Sequence, residues 1–326
     1  MVQMIVLLLY GFQAHSTPSD VGIFPKTLWF LHEYGQIDCS SAENDRNIKS
    51  VLARSIANDR ELALDEFDGL ISGEAFEKFS GDDNRLSEAE ITTSLELATP
   101  ASRLRLSPAL RSHAALLTTS FDMIESGHVP AATQLSDWIA ANWKPDSTLH
   151  VLVTCTGNSR RSILGASMGN MAAAYYGFEN IRFHSGGTIP SAFNKRTIAT
   201  LKEIGFQVEP TGEEAKRGDA MIPNPIYRVT WGKGLEAIEF SKSLTDQSNP
   251  QSGFVAILVC SEADAECPTV PGASLRVSMT FIDPKLFDDG AFEKNKYAER
   301  RDDLGRTFLA VLANARRKLI DNFLDD

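Results

Sequence analysis

Val151-Leu152-Val153-Thr154-Cys155-Thr156-Gly157-Asn158-Ser159-Arg160-Arg161-Ser162 is the stretch from which the fold is read. A short run of apolar and β-branched residues ends at a cysteine, which is strand character. A polar loop containing Gly157 follows. From Ile163 to Tyr176 the chain is rich in small apolar residues at helical spacing. A loop between a strand and a helix makes an anion cradle. Its amides turn inward, and the helix start adds partial positive charge. Cys155 stands at the mouth of that loop, where such a field favours a thiolate. Arg161 follows six residues later and can return to offer a planar fork to a tetrahedral oxyanion. Ser162 is placed to donate a hydrogen bond to the sulfur.

Around this stretch, helix and strand patterns alternate. Ala131 to Trp143 reads as an amphipathic helix with Leu135, Trp138, Ile139 and Trp143 inward. Ile181-Arg182-Phe183-His184 reads as a strand leading into Ser185-Gly186-Gly187-Thr188. Asn194 to Ile204 is a helix closed by Gly205, and Val208 opens a short element. Ile226 to Trp231 and Phe254 to Val259 are strand candidates. Tyr297 to Phe323 closes the chain as a long helix burying Leu304, Phe308, Val311 and Leu312. Met168 and Met171 are read as core, and His184 as a strand residue rather than a catalyst. This alternation predicts an α/β fold with a mainly parallel, doubly wound sheet of about four strands and helices on both faces. Such sheets bind ligands beyond the carboxyl ends of their strands. Cys155 and Cys260 both stand at such ends, so a shared site is expected.

Cys260-Ser261-Glu262-Ala263-Asp264-Ala265-Glu266-Cys267-Pro268 places two thiols seven residues apart. They can be small buried residues, half of a zinc site, or a redox pair. Zinc would need four ligands with close spacing such as Cys-x-x-Cys, which the stretch lacks, so no metal is expected. A thiol relay needs a resolving cysteine within reach. Phe281-Ile282-Asp283-Pro284 adds a carboxyl. Asp-Pro is a common turn, and a carboxyl held above an oxyanion can protonate a departing oxygen.

The loop from Cys155 to Ser162 resembles the phosphate loop of the low-molecular-weight protein tyrosine phosphatases and of the thioredoxin-coupled arsenate reductases that share their fold. The likeness runs from about residue 148 to the C-terminus and is weaker upstream. It implies Cys155 as nucleophile, Arg161 as oxyanion clamp, Ser162 as thiolate stabiliser and Asn158 as the residue that shapes the loop. Thr156, Gly157, Ser159 and Arg160 complete the oxyanion loop. Arg160 departs from the reductases, which often carry a cysteine or an apolar residue there. It adds positive charge at the mouth or is simply solvated. Ser185 is expected to brace Asn158, and Asp283 to be the general acid. The spacing of Cys260 and Cys267 before Pro268 is similar to the redox pair of the reductases. The resemblance therefore implies an arsenate reductase with a cysteine relay reduced by thioredoxin, and no cofactor. The alternative is a phosphatase using the same Cys155, Arg161 and Asp283. Lys285 and Leu286, where such phosphatases carry two aromatics, weaken phosphotyrosine specificity. A non-catalytic oxyanion-binding module is a third reading.

A chain of 326 residues can bury a full core and hold a second, smaller domain. Its net charge of −11 argues against nucleic acid or an anionic membrane as main partner. An oxyanion must then be drawn by a local field. Four cysteines, Cys39 among them, are too few for a disulfide scaffold. Residues 108–326 are expected to form the catalytic domain, after a linker marked by Thr99-Pro100 and Ser107-Pro108. Residues 17–107 read as a helical, acidic extension, with a helix pattern from Asn47 to about Ala63. Two pieces near Asp65 and Asp82 look faintly like calcium loops, but their ligand positions fail. The apolar run Met4-Ile5-Val6-Leu7-Leu8-Leu9 is too short to span a bilayer. Residues 1–16 could serve as a leader for export, although no basic residue precedes the run. A cytoplasmic location without stable membrane insertion is the first expectation.

Overall fold

The computed structural model describes residues 62–63, 85–86, 100–144, 147–261 and 269–325. The expected leader, Cys39 and nearly all of the acidic extension lie outside these residues. Two short strands, β1 (Leu62–Ala63) and β2 (Arg85–Leu86), pair antiparallel with Leu62 opposite Leu86. The helix pattern read through Ala63 thus gives way to extended backbone at its last two residues.

The other compact unit spans Pro100–Lys318. It begins with α1 (Ala101–Arg105) and α2 (Pro108–Thr118), then α3 (Val129–Asn142). The segment expected as linker belongs to this unit. Ser102 Oγ and Arg103 Nε donate to the carbonyls of Ala174 and Tyr175, each at 2.6 Å. Strand β3 (Leu149–Cys155) leads to α4 (Arg161–Tyr175), β4 (Ile181–Gly187) and α5 (Lys195–Glu203). An antiparallel meander follows, β5 (Gln207–Glu214), β6 (Pro225–Gly232) and β7 (Leu235–Glu239). The chain then returns as β8 (Phe254–Leu258) and β9 (Ala273–Ser278), and closes with α6 (Glu293–Asp325).

Four strands form a wholly parallel sheet in the order β4-β3-β8-β9. The central pair, β3 and β8, is buried on both faces, β8 as an unbroken apolar run and β3 with only His150 half-buried. On one face Val153 meets α4. A Cβ at Gly165 would lie 2.8 Å from a Val153 methyl, and one at Gly169 would lie 2.3 Å from the Phe183 ring. The glycines let the helix backbone approach the sheet more closely than any side chain allows. On the other face Leu152, Phe254, Ala256 and Leu258 are closed by Val270 and Leu244. Leu304, Phe308, Val311 and Leu312 of α6 are all fully buried, as are Met168 and Met171.

The strand candidate Ile226 to Trp231 does form a strand, but in the separate meander and not in the parallel sheet. The reason is legible in its burial. Val229 and Trp231 are buried while Arg228 is exposed and Thr230 is half-buried. That period-two pattern belongs to a sheet covered on one face, unlike the unbroken apolar run of a central parallel strand. Among the described residues, no helix is long and apolar enough to cross a membrane.

Candidate oxyanion site

The sheet order fixes where a ligand can bind. From β3 the chain crosses to β4 on one side, and later to β8 on the other. In open parallel sheets such a reversal is where ligands bind, here beyond the carboxyl ends of β3 and β8. Cys155 is the last residue of β3, and Cys260 lies two residues beyond β8.

The loop after Cys155 is held from outside by its carbonyls. Those of Cys155, Thr156 and Gly157 accept from the amides of Thr188, Ile189 and Ser191, and that of Ser159 from the amide of Asn194. The Gly157 carbonyl also accepts from the hydroxyls of Ser191 and Ser241, each at 3.1 Å. Ser159 donates to the carbonyl of Ala192 and accepts at its own carbonyl from Thr197. With the carbonyls turned outward, the amides of Gly157, Asn158, Ser159 and Arg160 donate to no group among the described residues. Asn158 and Ser159 are themselves buried. Amides without a protein partner are what an anion cradle requires, since they can donate to an oxyanion instead.

Asn158 is tied into the loop at both ends of its side chain. Its backbone takes the left-handed conformation, φ +38°. Its Oδ1 accepts from the amide of Lys242 at 2.7 Å, which leaves Nδ2 to donate to Ser162 Oγ at 2.8 Å. Ser162 Oγ lies 3.1 Å from Cys155 Sγ. With Asn158 donating to that oxygen, the hydroxyl proton is free to be given to the sulfur, which it must be whenever Cys155 is a thiolate. The three links form one chain from the Lys242 amide to the nucleophile candidate. Gly187 permits this closeness. A Cβ there would lie 2.6 Å from the Thr156 carbonyl and 2.8 Å from the Asn158 nitrogen.

Arg161 opens α4 and is buried. Its Nη1 donates to the carbonyl of Phe281 and its Nη2 to Asp283 Oδ2, each at 2.9 Å. Asp283 Oδ1 accepts from the amide of Lys285, capping the short 3-10 turn Pro284–Phe287. The structure therefore brings the clamp and the acid candidate together as an ion pair. An oxyanion drawn to this fork meets the Asp283 carboxylate already seated on it.

Cys260 is fully buried, and its sulfur lies 3.6 Å from Thr156 Oγ1. The second thiol thus touches the residue next to Cys155, and neither cysteine is in a disulfide. Cys267 lies outside the described residues. No group of three or more metal-ligating side chains occurs among the described residues. No protein-family model matches the chain, and no curated protein matches it.

Two expectations are corrected. Ser185 does not brace Asn158. It donates to Glu239 Oε2 at 2.8 Å, and the Lys242 amide takes the bracing role. Sequence could not show this, because the meander that delivers Lys242 acts through a backbone group. Arg160 is neither at a charged mouth nor solvated. Its Nε donates to Tyr297 Oη at 2.6 Å and its Nη2 to Asp288 Oδ2 at 2.9 Å. Tyr297 donates in turn to Asp288 Oδ1 at 2.8 Å. Burial, with help from the Asp288 carboxylate and against Arg160, pushes the Tyr297 phenol well above its ordinary range, so it remains a donor. The acidic pair Asp288-Asp289 just after Asp283 was the available signal for this contact. His184, as expected, serves the strand. It pairs with His150 at 2.9 Å, and burial first, then His150, Lys242 and Arg182, lowers it to about 3.

Proposed function

We propose that this chain is a thiol enzyme acting on a tetrahedral oxyanion, and that the oxyanion is arsenate. The supporting observation is the meeting of Cys155 and Cys260 at the ends of adjacent parallel strands, with Thr156 between them. The four-strand parallel sheet supports reading the unit as a low-molecular-weight phosphatase fold carrying an added meander. In the proposed reaction the Cys155 thiolate attacks arsenic, and water leaves. An oxyanion on the Arg161 fork displaces the Asp283 carboxylate and leaves it facing negative charge. From there the carboxyl can give a proton to the departing oxygen. The Cys260 thiolate then attacks the Cys155 sulfur. The arsenic–sulfur bond breaks, its electron pair stays on arsenic, and arsenite departs from a Cys155–Cys260 disulfide. Cys267 attacks Cys260 and carries the disulfide outward, where thioredoxin reduces it.

The second reading is a phosphomonoester hydrolase, favoured by the seating of Asp283 on Arg161. Water would then resolve the phosphorylated cysteine. One paired measurement separates the two. Arsenate-dependent oxidation of thioredoxin is followed beside aryl phosphate hydrolysis, for the native chain and for Cys260→Ser. The reductase reading expects the first activity in the native chain and its loss in Cys260→Ser. Arsenite production surviving in Cys260→Ser removes the relay. Hydrolysis alone, unchanged by the substitution, leaves the phosphatase. Cys155→Ser should abolish either activity.

A further inference from the structure

We propose that Arg160, Asp288 and Tyr297 form a positioning triad that keeps the Asp283 carboxyl over the oxyanion loop while the site fills and empties. The inference rests on the reading of Asp283 as general acid. The turn Pro284–Phe287 has Asp283 at its start and Asp288 at its end. Two consecutive arginines grip those two ends. Arg161 holds Asp283, and Arg160 holds Asp288, each at 2.9 Å. Tyr297, 1% exposed at the start of α6, closes the second grip with hydrogen bonds to both Arg160 and Asp288. Arg196 adds a contact to Asp288 at 3.6 Å while binding Glu293 at 2.7 Å.

The two grips differ in one respect. The Arg161 fork is the group an oxyanion competes for, so that grip loosens whenever substrate arrives. The Arg160 grip uses no group that touches substrate in the proposed chemistry. It persists, and the turn stays fixed at its far end. A four-residue 3-10 turn spans only about 8 Å, so anchoring Asp288 restricts how far Asp283 can swing once Arg161 lets go. A misplacement of about 1 Å can cost a proton transfer roughly a hundredfold. The network is also well suited to rigidity, since each member satisfies another and a buried charge left alone is expensive.

The test uses the full chain and two aryl phosphates. Phenyl phosphate has a poor leaving group that needs a proton from the general acid. 2,4-Dinitrophenyl phosphate has a good one that does not. The readout is the ratio of kcat/KM for phenyl phosphate to that for 2,4-dinitrophenyl phosphate. Asp283→Asn sets the full loss in this ratio. Tyr297→Phe and Asp288→Asn should each lower it about tenfold, in the same direction as Asp283→Asn. A ratio unchanged within twofold in both variants overturns the triad, whether their rates hold or fall together, because general damage lowers both substrates alike. If Asp283→Asn itself leaves the ratio unchanged, Asp283 is not the acid and the reading beneath the inference fails with it. If the native chain hydrolyses neither ester, the same variants are compared in arsenate-dependent oxidation of thioredoxin. Rates within twofold of native for Tyr297→Phe and Asp288→Asn then overturn the triad, and an unchanged rate for Asp283→Asn removes the reading beneath it.

Discussion

At the scale of single residues, the site depends on how Asn158 spends its side chain. It adopts a left-handed backbone that most residues avoid, and both ends of its amide are used. Asn158→Ala removes the acceptor for a buried backbone amide and the donor to Ser162, and keeps the strained φ. The expected loss is about 2–4 kcal/mol in chemical denaturation. Ser162→Ala is a finer probe. It deletes the hydroxyl that lies 3.1 Å from Cys155 Sγ and leaves the loop carbonyls tied. Aryl phosphate turnover should fall about 10- to 100-fold if that hydrogen bond steadies the sulfur as a leaving group or nucleophile. Turnover within twofold of native would make Ser162 a structural residue only. Cys155, Arg161 and Asp283 were legible as candidates, because each is a side chain with its own chemistry. The brace on Asn158 was not. It comes from the Lys242 main chain, 84 residues away in sequence, and an amide leaves no mark in a one-letter code.

Elements were legible where burial is extreme and ambiguous where it is partial. β8 is an unbroken apolar run and β3 nearly one, as central parallel strands are. The small-residue helix α4 follows from the closeness it must achieve. Gly169→Ala tests that closeness. The new methyl would meet the Phe183 ring, which is itself wedged against Phe308 at a centroid distance of 5.2 Å. Alanine favours an isolated helix by about 1 kcal/mol, yet overpacking here should cost about 1–3 kcal/mol net. A rise in stability would mean that Phe183 has room to turn. The meander was misjudged because Ile226 to Trp231 has strand propensity, and propensity says nothing about which sheet a strand joins. Its half-buried alternation carried that information. The pair Leu62–Ala63 shows the same limit. A leucine–alanine step suits a helix stripe as well as a two-residue strand.

For the whole molecule, acidity is a lever on stability. His184 is held near 3 by burial, His150, Lys242 and Arg182, against an ordinary value of 6.5. The unfolded chain therefore takes up a proton below about 6.5 that the folded one refuses. The stability this preserves is complete above about 6.5 and declines as pH falls toward 3, by about 1.4 kcal/mol per unit for this group. Denaturant midpoints measured between pH 7.5 and 5 should fall in that sense, and His184→Asn should flatten the decline. A native midpoint constant over that range would contradict it. The meander carries a different consequence. Its exit, Ser241 and Lys242, grasps the loop at Gly157 and Asn158 from behind, and the Lys242 carbonyl takes the Gly187 amide. A load placed on the outer edge of those three strands would thus be felt as a change of aperture around the sulfur. Reactivity could be tuned by editing residues 225–240, at a distance, with every reacting atom left as it is.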